Sequence, residues 1–409
     1  MKTTTGTVAV VLFTRDLRVH DNPTLNAALR HARTVVPLFV LDPAIVAGPF
    51  GRPNRLAFLT DALEDLRASL RSRDGELLIR SGDTVDVVTR VAAETGASSV
   101  FVARDVSAFA QHRAARLIRA GRGTARFDVH FCDGLSVVPA GVLKPAGRDH
   151  YAVFTPYFRA WSRQARRPVV RAPSRVPMPP GLAVDRVPEL AGGMTSPRLP
   201  RGGEGTGRRL WRHWRTRHLE EYGDAHDDLA RDETSRLSPY FHFGCLSPLE
   251  ITVDATGRPG GEPFIRQLAW REFFLQVTRA FPSLPRADYR PNAKRWHRDE
   301  AAFRSWAESD TGVPIVDAGM RQLRQEGWMH NRARLVCASY LVHDLGVDWR
   351  LGARHFLDWL VDGDIANNSG NWQWVAGTGN NPRPNRVMNP WRQAERFDPT
   401  GAYVERYAR

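Results

Sequence analysis

TVAVVLF (7–13) is the stretch that decides the fold of the first third of this 409-residue chain. It is short, uncharged and rich in β-branched residues, so it reads as a strand buried on both faces rather than a half-exposed one. Four more runs of the same kind follow: TVVPLFVL (34–41), GELLIRSG (75–82), SSVFVARD (98–105) and FDVHFCDG (127–134). Between them lie helical patterns, among them RLAFLTDALEDLRASLRSR (55–73) and TVDVVTRVAAETG (84–96). This alternation predicts an α/β domain over 1–134, a doubly wound parallel sheet with helices on both faces. Ligands of such sheets sit beyond the carboxyl ends of the strands. No GxGxxG or Walker glycine loop follows any of the five runs, which excludes a dinucleotide or nucleoside-triphosphate site of the usual kind.

Beyond the sheet the composition changes. RRPVVRAPSRVPMPPGL and GGMTSPRLPRGGEGTG are rich in Pro, Gly and Arg, which predicts a connector over 135–208 whose later part, from about 163, runs extended over the surface. From 209 to 409 strand signals vanish. PFIRQLAWREFFLQVTRAF (263–281), HNRARLVCASYLVHDL (330–345) and GARHFLDWLVDG (352–363) space their apolar residues helically, with Gly363 and Gly370 as end signals. This part reads as an all-α domain.

Hydrophobic residues make up 42 % of the chain, enough for packed cores, and no apolar run has the length of a membrane span. MKTTTGTVAVVLF is too short for a secretory signal and lacks its cleavage pattern. Three scattered cysteines (Cys132, Cys245 and Cys337) form neither a disulfide framework nor a metal-ligand spacing, so a reducing, cytoplasmic compartment and no metal are expected. The net charge of +14 and pI near 10.5 favour a polyanionic partner, although arginine is spread along the whole chain. Twelve tryptophans are the sharper oddity, because an indole is a base-stacking platform and an electron relay as well as a core residue.

Four stretches carry candidate chemistry. TSRLSPYFHFG (234–244) offers Thr234, Ser235 and Ser238 as helix caps at a phosphate-binding helix start. WREFF (270–274) sets Arg271 among aromatics, where a half-buried guanidinium wants an anion. WMHNRAR (328–334) packs cation-capable groups and Asn331 into one turn and a half, a pattern that taken alone is equally a surface salt bridge. DGDIANNSGNWQW (362–374) combines two acids, three asparagines and two tryptophans. Asp362 and Asp364 can accept from an arginine and from sugar hydroxyls, and they lack the further hard ligands a metal needs. Trp372 and Trp374, two apart, point to different sides of a helix. Such a polar network suits a large phosphate-bearing cofactor.

These strings, with TGVPIVDAGMRQL, DWRLGARHF and the N-terminal FTRDLRVHDNPTL (13–25), resemble the cryptochrome/photolyase family over essentially the whole chain. The resemblance implies an antenna domain followed by a helical domain that holds a folded-over, non-covalent FAD. By motif position Tyr222, Thr234, Ser235, Arg236, Leu237 and Ser238 contact its phosphates and ribityl chain, and Arg271 faces the pyrophosphate. Arg334 pairs with Asp362 beside the isoalloxazine, Asp364 holds the adenosine sugar and Asn368 sits against flavin N5. The family's electron chain maps to Trp372, Trp349 and Trp296. Trp270 and Trp374 line a cavity for a flipped lesion together with Asn331, while Arg332 and Arg386 meet DNA. The implied reaction is light-driven electron transfer from reduced FAD that splits a cyclobutane pyrimidine dimer. Flipping the lesion out of the duplex is a documented property of photolyases as a class.

The sequence departs from the dimer-repair pattern at Gln267, where a glutamate is usual, and at Leu335, where methionine is common. Asn331 fits dimer repair, and the histidine pair of (6-4) relatives is absent. A blue-light photoreceptor without repair is therefore the alternative expectation. Arg55 and Asp105 resemble positions that hold a deazaflavin antenna, which is preferred over methenyltetrahydrofolate because Phe109 and Ala110 stand where folate-binding relatives carry an Asn–Glu pair. Damaged DNA is the expected partner and a monomer the expected state. The chain ends at GAYVERYAR without a long signalling tail, an expectation that leans towards repair.

Overall fold

Five parallel strands form the first layer of the protein, here in a computed structural model that describes residues 7–123, 126–291, 296–384 and 386–408. They are β1 (Val8–Phe13), β2 (Thr34–Leu41), β3 (Leu78–Ser81), β4 (Ala97–Ala103) and β5 (Asp128–Cys132), in the spatial order β3-β2-β1-β4-β5. The chain moves from β1 towards one edge and returns to add β4 on the other side, so a crevice opens past the carboxyl ends of β1 and β4. Alternate residues explain the two-sided burial. Val10, Leu12, Val36, Leu38 and Val100 pack on the helix Thr84–Thr95, whereas Ala9, Val11, Phe13 and Phe39 join the core that continues into the helical part.

The two halves share that core. Phe58, on the helix Pro53–Arg71, stacks on Phe243 with centroids 4.8 Å apart and meets Tyr240 edge-on at 5.3 Å. The helix Gly261–Ala280 runs through the middle of the helical part with Phe264, Leu268, Phe273 and Phe274 buried. Against it lies Ile365–Ala376, capped by Asp364 Oδ1 accepting from the Asn367 amide at 2.9 Å.

Three sequence expectations are corrected. Gly370 lies inside the helix Ile365–Ala376, not at its end; a β-carbon there would stand 2.1 Å from the Phe274 ring, so the glycine serves close helix packing. Thr234, Ser235 and Ser238 do not cap the five-residue helix Ser238–His242, whose N-cap is Leu237 with no side-chain hydrogen bond. The connector has neither helix nor strand from 164 to 203, as its composition implied, but it is more than a surface strap. It contains the helix Phe154–Arg163, buries Val176, and is pinned by Asp21, which accepts from Arg167 at 2.6 Å and from the Val170 amide at 2.9 Å. Helix resumes at Glu204, slightly before the expected 209. No helix among the described residues is long and apolar enough to cross a membrane.

Candidate active site

The helices Asn331–Ser339, Trp349–Trp359 and Ile365–Ala376 enclose a polar cleft lined by Asn331, Arg334, Asp362, Asp364, Asn368 and Trp372. Each acid of the DGD motif has its own arginine. Arg334 Nη2 donates to Asp362 Oδ2 at 2.8 Å, and Arg15 Nη2 donates to Asp364 Oδ2 at 2.6 Å. Burial alone would raise the Asp364 pKa; the Arg15 charge, with His242 and Arg271 behind it, reverses the sign and holds the carboxyl well below its usual range. Asn368 Nδ2 donates to the Ala353 carbonyl at 2.9 Å, which fixes the amide across the floor of the cleft.

Trp328 joins this cleft to the 234–238 segment. Its Nε1 donates to Ser238 Oγ at 3.0 Å, while the Arg236 and Arg334 guanidiniums lie 4.4 and 5.9 Å from its ring. The Arg236 side chain is held by Asp232 and by Glu326 at 2.8 Å, so its guanidinium is neutralised within the protein. Leu237 and Tyr222 are buried, and burial raises the Tyr222 pKa. Ser235 is half-buried.

Whether these residues suit a large polar cofactor can be judged from their unmet hydrogen-bonding capacity. Thr234 Oγ1, Asp362 Oδ1 and His330 Nε2 are buried without a protein partner. Buried polar atoms are normally paired, so the Asp362 oxygen left over in the cleft lining fits a ligand that donates from hydroxyls or ring N–H groups.

Three of the tryptophans fall into one packed group. Trp372 and Trp349 are buried in the same cluster, and half-buried Trp296 packs against it. The order follows from the backbone. Trp349 and Gly352 are neighbours one turn apart on one helix, and Trp372 lies over Gly352, its Cη2 2.2 Å from where a β-carbon would stand. Next to Trp296, the His297–Val347 bridge ties that segment to the start of the Trp349 helix. Trp349 Nε1 donates to Asp288 Oδ1 at 3.1 Å.

The proposed lesion-side residues are less uniformly placed. Trp270 stacks on Phe154 with centroids 3.6 Å apart and planes 6° apart, so one of its faces is already covered. Gln267 is half-buried one turn earlier on the same helix. Trp374 is half-buried, its carbonyl accepting from Asn381 at 3.0 Å, and Arg386 is exposed on the loop that follows. Arg332 is held by Asp227, lies 4.2 Å over the Phe397 ring and has a side chain 15 % exposed.

A second cavity, of about 440 Å³, occupies the crevice past β1 and β4. Arg15, Asp105, Arg113, Phe131, Arg271 and Arg279 are among its walls. Arg271 thus belongs to this wall rather than to the cleft around Asp362; its guanidinium donates to the carbonyls of Leu135 at 2.9 Å and Phe241 at 3.3 Å. Of the two residues read as antenna-holding, Asp105 lines this cavity and Arg55 stands outside its lining. Arg55 donates to the carbonyls of Phe50, Leu357 and Leu360, locking the helix Pro53–Arg71 onto the loop before Asp362, and burial lowers its pKa to about 10.

Sequence reasoning missed Arg15 and Glu272. Arg15 sits inside the quoted FTRDLRVHDNPTL, but nothing local says that its partner lies 349 residues away. Glu272, fully buried, accepts from the Val138 amide at 3.1 Å and Trp161 Nε1 at 2.7 Å, fastening the connector to the helix that carries Trp270. Among the described residues no three His, Cys, Asp or Glu side chains group as metal ligands.

Comparison with known proteins agrees with this arrangement. Residues 9–179 match the profile described as DNA photolyase, and residues 264–409 match the FAD binding domain of DNA photolyase. The chain is 52 % identical over 402 residues to a protein from Streptomyces griseus named deoxyribodipyrimidine photo-lyase, covering 97 % of this chain and 88 % of that one. A bacterial class III photolyase from Agrobacterium tumefaciens superposes with a TM-score of 0.89 at 31 % identity, covering 98 % of this chain and 86 % of the other. An archaeal photolyase from Sulfolobus tokodaii, solved with two FAD molecules, gives 0.88 at 30 % identity, covering 98 % and 90 %. A five-stranded parallel sheet, a helical cleft with two arginine-paired aspartates and three tryptophans gathered at one cluster all sit in one chain, and that chain belongs to the DNA photolyase family.

Proposed function

We propose that the protein is a deoxyribodipyrimidine photolyase, a carbon–carbon lyase that uses FAD and light to split cyclobutane pyrimidine dimers in DNA. The observation that carries this reading is the single cleft in which the Arg334–Asp362 pair, Asn368 and Trp372 meet, in a chain 52 % identical to a photo-lyase. Arg334, Asp362, Asp364, Asn368 and Thr234 are the residues that hold FAD. Bound and reduced, FAD supplies a light-activated one-electron donor.

The protein's own groups do the rest. The Arg334 guanidinium neutralises Asp362 and orients its free oxygen into the cleft. Asn368 presents an uncharged amide, which can serve as donor or acceptor without a change of charge. Trp372, Trp349 and Trp296 provide the path by which the site is recharged from an external reductant. Asp288, accepting from the Trp349 indole, lowers the cost of an electron deficit on that ring. Trp270, Trp374, Gln267 and Asn331 receive the flipped lesion, and Arg386 contacts the DNA backbone. The +14 charge supports attraction to the duplex.

The cavity past β1 and β4 takes an antenna chromophore. Asp105 in its wall and the lack of an Asn–Glu pair at Phe109 and Ala110 favour a deazaflavin over a folate. The protein acts as a monomer in the reducing cytoplasm, with its three cysteines as free thiols.

Photoreduced protein mixed with an oligonucleotide carrying one thymine dimer, then illuminated, is expected to restore the undamaged bases. Unchanged dimer after illumination, with FAD bound and reduced, refutes the reading.

A further inference from the structure

Arg15 emerges from the end of β1 and forks between carboxylates of the two halves of the molecule. Nη1 lies 3.5 Å from Asp105, in the loop after β4, and Nη2 lies 2.6 Å from Asp364, in the helical part. Nε donates to the His242 carbonyl at 3.0 Å, so the guanidinium plane is fixed from three directions. Asp364 is 6 % exposed and uses its other oxygen to start the helix Ile365–Ala376. That helix carries Asn368 and Trp372.

The groups facing Asp364 come from every element around it: Arg15 and Asp105 from the strand ends, His242 from the helix Ser238–His242, and Arg271 from the helix Gly261–Ala280. Only Arg15 among these reaches hydrogen-bond distance; His242 Nδ1 stays 3.9 Å away. We propose that Arg15 is a positioning residue of the FAD site, supplied by the α/β domain, whose guanidinium holds the Asp364 carboxylate in place so that FAD is retained. The proposal rests on the reading of Asp364 as an FAD-facing residue.

Removing one partner of a buried ion pair leaves the other charged and desolvated, whereas removing both is far milder. Burial then dominates Asp364 and raises its pKa. In R15Q the strain is greatest at high pH, where the carboxylate is charged and unpaired, and eases as protonation neutralises it. In the wild type the depressed pKa keeps the pair intact across the neutral range.

The test measures FAD release, by the fluorescence of the freed flavin, from wild type, R15K, R15Q, D364N and R15Q/D364N holoproteins between pH 5 and 8. Wild type and R15K should give flat profiles. R15Q should release FAD at least about tenfold faster at pH 8 and slow as the pH falls. The double variant should be flat and should hold FAD better than R15Q; it carries the test if R15Q does not fold. R15Q release matching wild type in rate and profile, or a folded double variant no better than R15Q, overturns the role of Arg15. D364N retaining FAD like the wild type overturns the underlying reading of Asp364, and the proposal with it.

Discussion

Trp372 rests on Gly352: the Cη2 of its ring lies 2.2 Å, and its Cζ3 2.6 Å, from the point where a β-carbon on Gly352 would stand. A glycine in mid-helix normally costs about 1 kcal/mol relative to alanine, so Gly352→Ala would stabilise an ordinary helix. Here the added methyl must displace either Trp372 or the Leu341 side chain, 2.6 Å away. Gly352→Ala is therefore expected to destabilise the protein by about 1–3 kcal/mol and to slow photoreduction. Chemical denaturation and blue-light bleaching of the flavin band measure the two effects.

The indole series has a charged partner at its middle. Asp288 accepts from both Trp349 Nε1 at 3.1 Å and Arg350 Nη2 at 2.8 Å, while the Arg350 guanidinium lies 4.7 Å from the Trp349 ring. Without the carboxylate the arginine opposes a positive charge on the indole. Asp288→Asn should slow photoreduction by about tenfold, the effect of ~1.4 kcal/mol on a rate, and Trp349→Phe should nearly abolish it. Both variants should still repair dimers when reduced chemically with dithionite, a split that transient absorption and a repair assay resolve.

Gln267 sits one turn before Trp270 on the helix Gly261–Ala280. An amide can donate a hydrogen bond to the split dimer but cannot stabilise it with a proton. Gln267→Glu is expected to raise the repair yield per absorbed photon about three- to tenfold, on the scale of one hydrogen bond to a charged group. An unchanged yield would remove Gln267 from the reaction.

Acid sensitivity should draw on two histidines, His330 and His355, the latter lowered by burial to about 4. His330 is buried, and its Nδ1 accepts from the Arg332 amide at 3.2 Å as the cap of the helix Asn331–Ser339. Burial, with Arg236, Arg332 and Arg334 nearby, lowers its pKa to about 3, the Asp227 charge opposing only in part. The unfolded chain then binds a proton that the folded one refuses, so stability falls as the pH drops below about 6.5 and continues to fall towards 3. At pH 5 the loss attributable to this group is about 2 kcal/mol. His330→Asn, a cap that does not titrate, should lessen the fall in melting temperature between pH 7 and 5 by about half, the remainder belonging to His355.

How much of this was legible in the sequence depended on the range of each interaction. The strands were readable because β1, β2 and β4 are buried on both faces and so form nearly continuous apolar runs. The DGD motif pointed to two acids that need cations, and each acid found an arginine. Which arginine was a different matter. Arg334 lies 28 residues from Asp362, inside a recognisable motif, whereas Arg15 reaches Asp364 across the domain interface. The protein partners of Arg55, Arg236, Arg271 and Arg332 were equally illegible in their motifs, although each guanidinium binds a carbonyl or carboxylate of the protein itself. A guanidinium's partner is set by tertiary packing, and local sequence does not encode it. Gly370 was misread for a similar reason: the Phe274 ring that requires it belongs to another helix.

The most direct measurement is the absorption spectrum of the purified, refolded protein after incubation with FAD, before and during blue illumination with a thiol reductant. The account predicts about one bound flavin per chain, bleached by light in the wild type and resistant to bleaching in Trp349→Phe. A polypeptide that stays colourless after reconstitution, or one whose bound flavin bleaches equally well without Trp349, contradicts it.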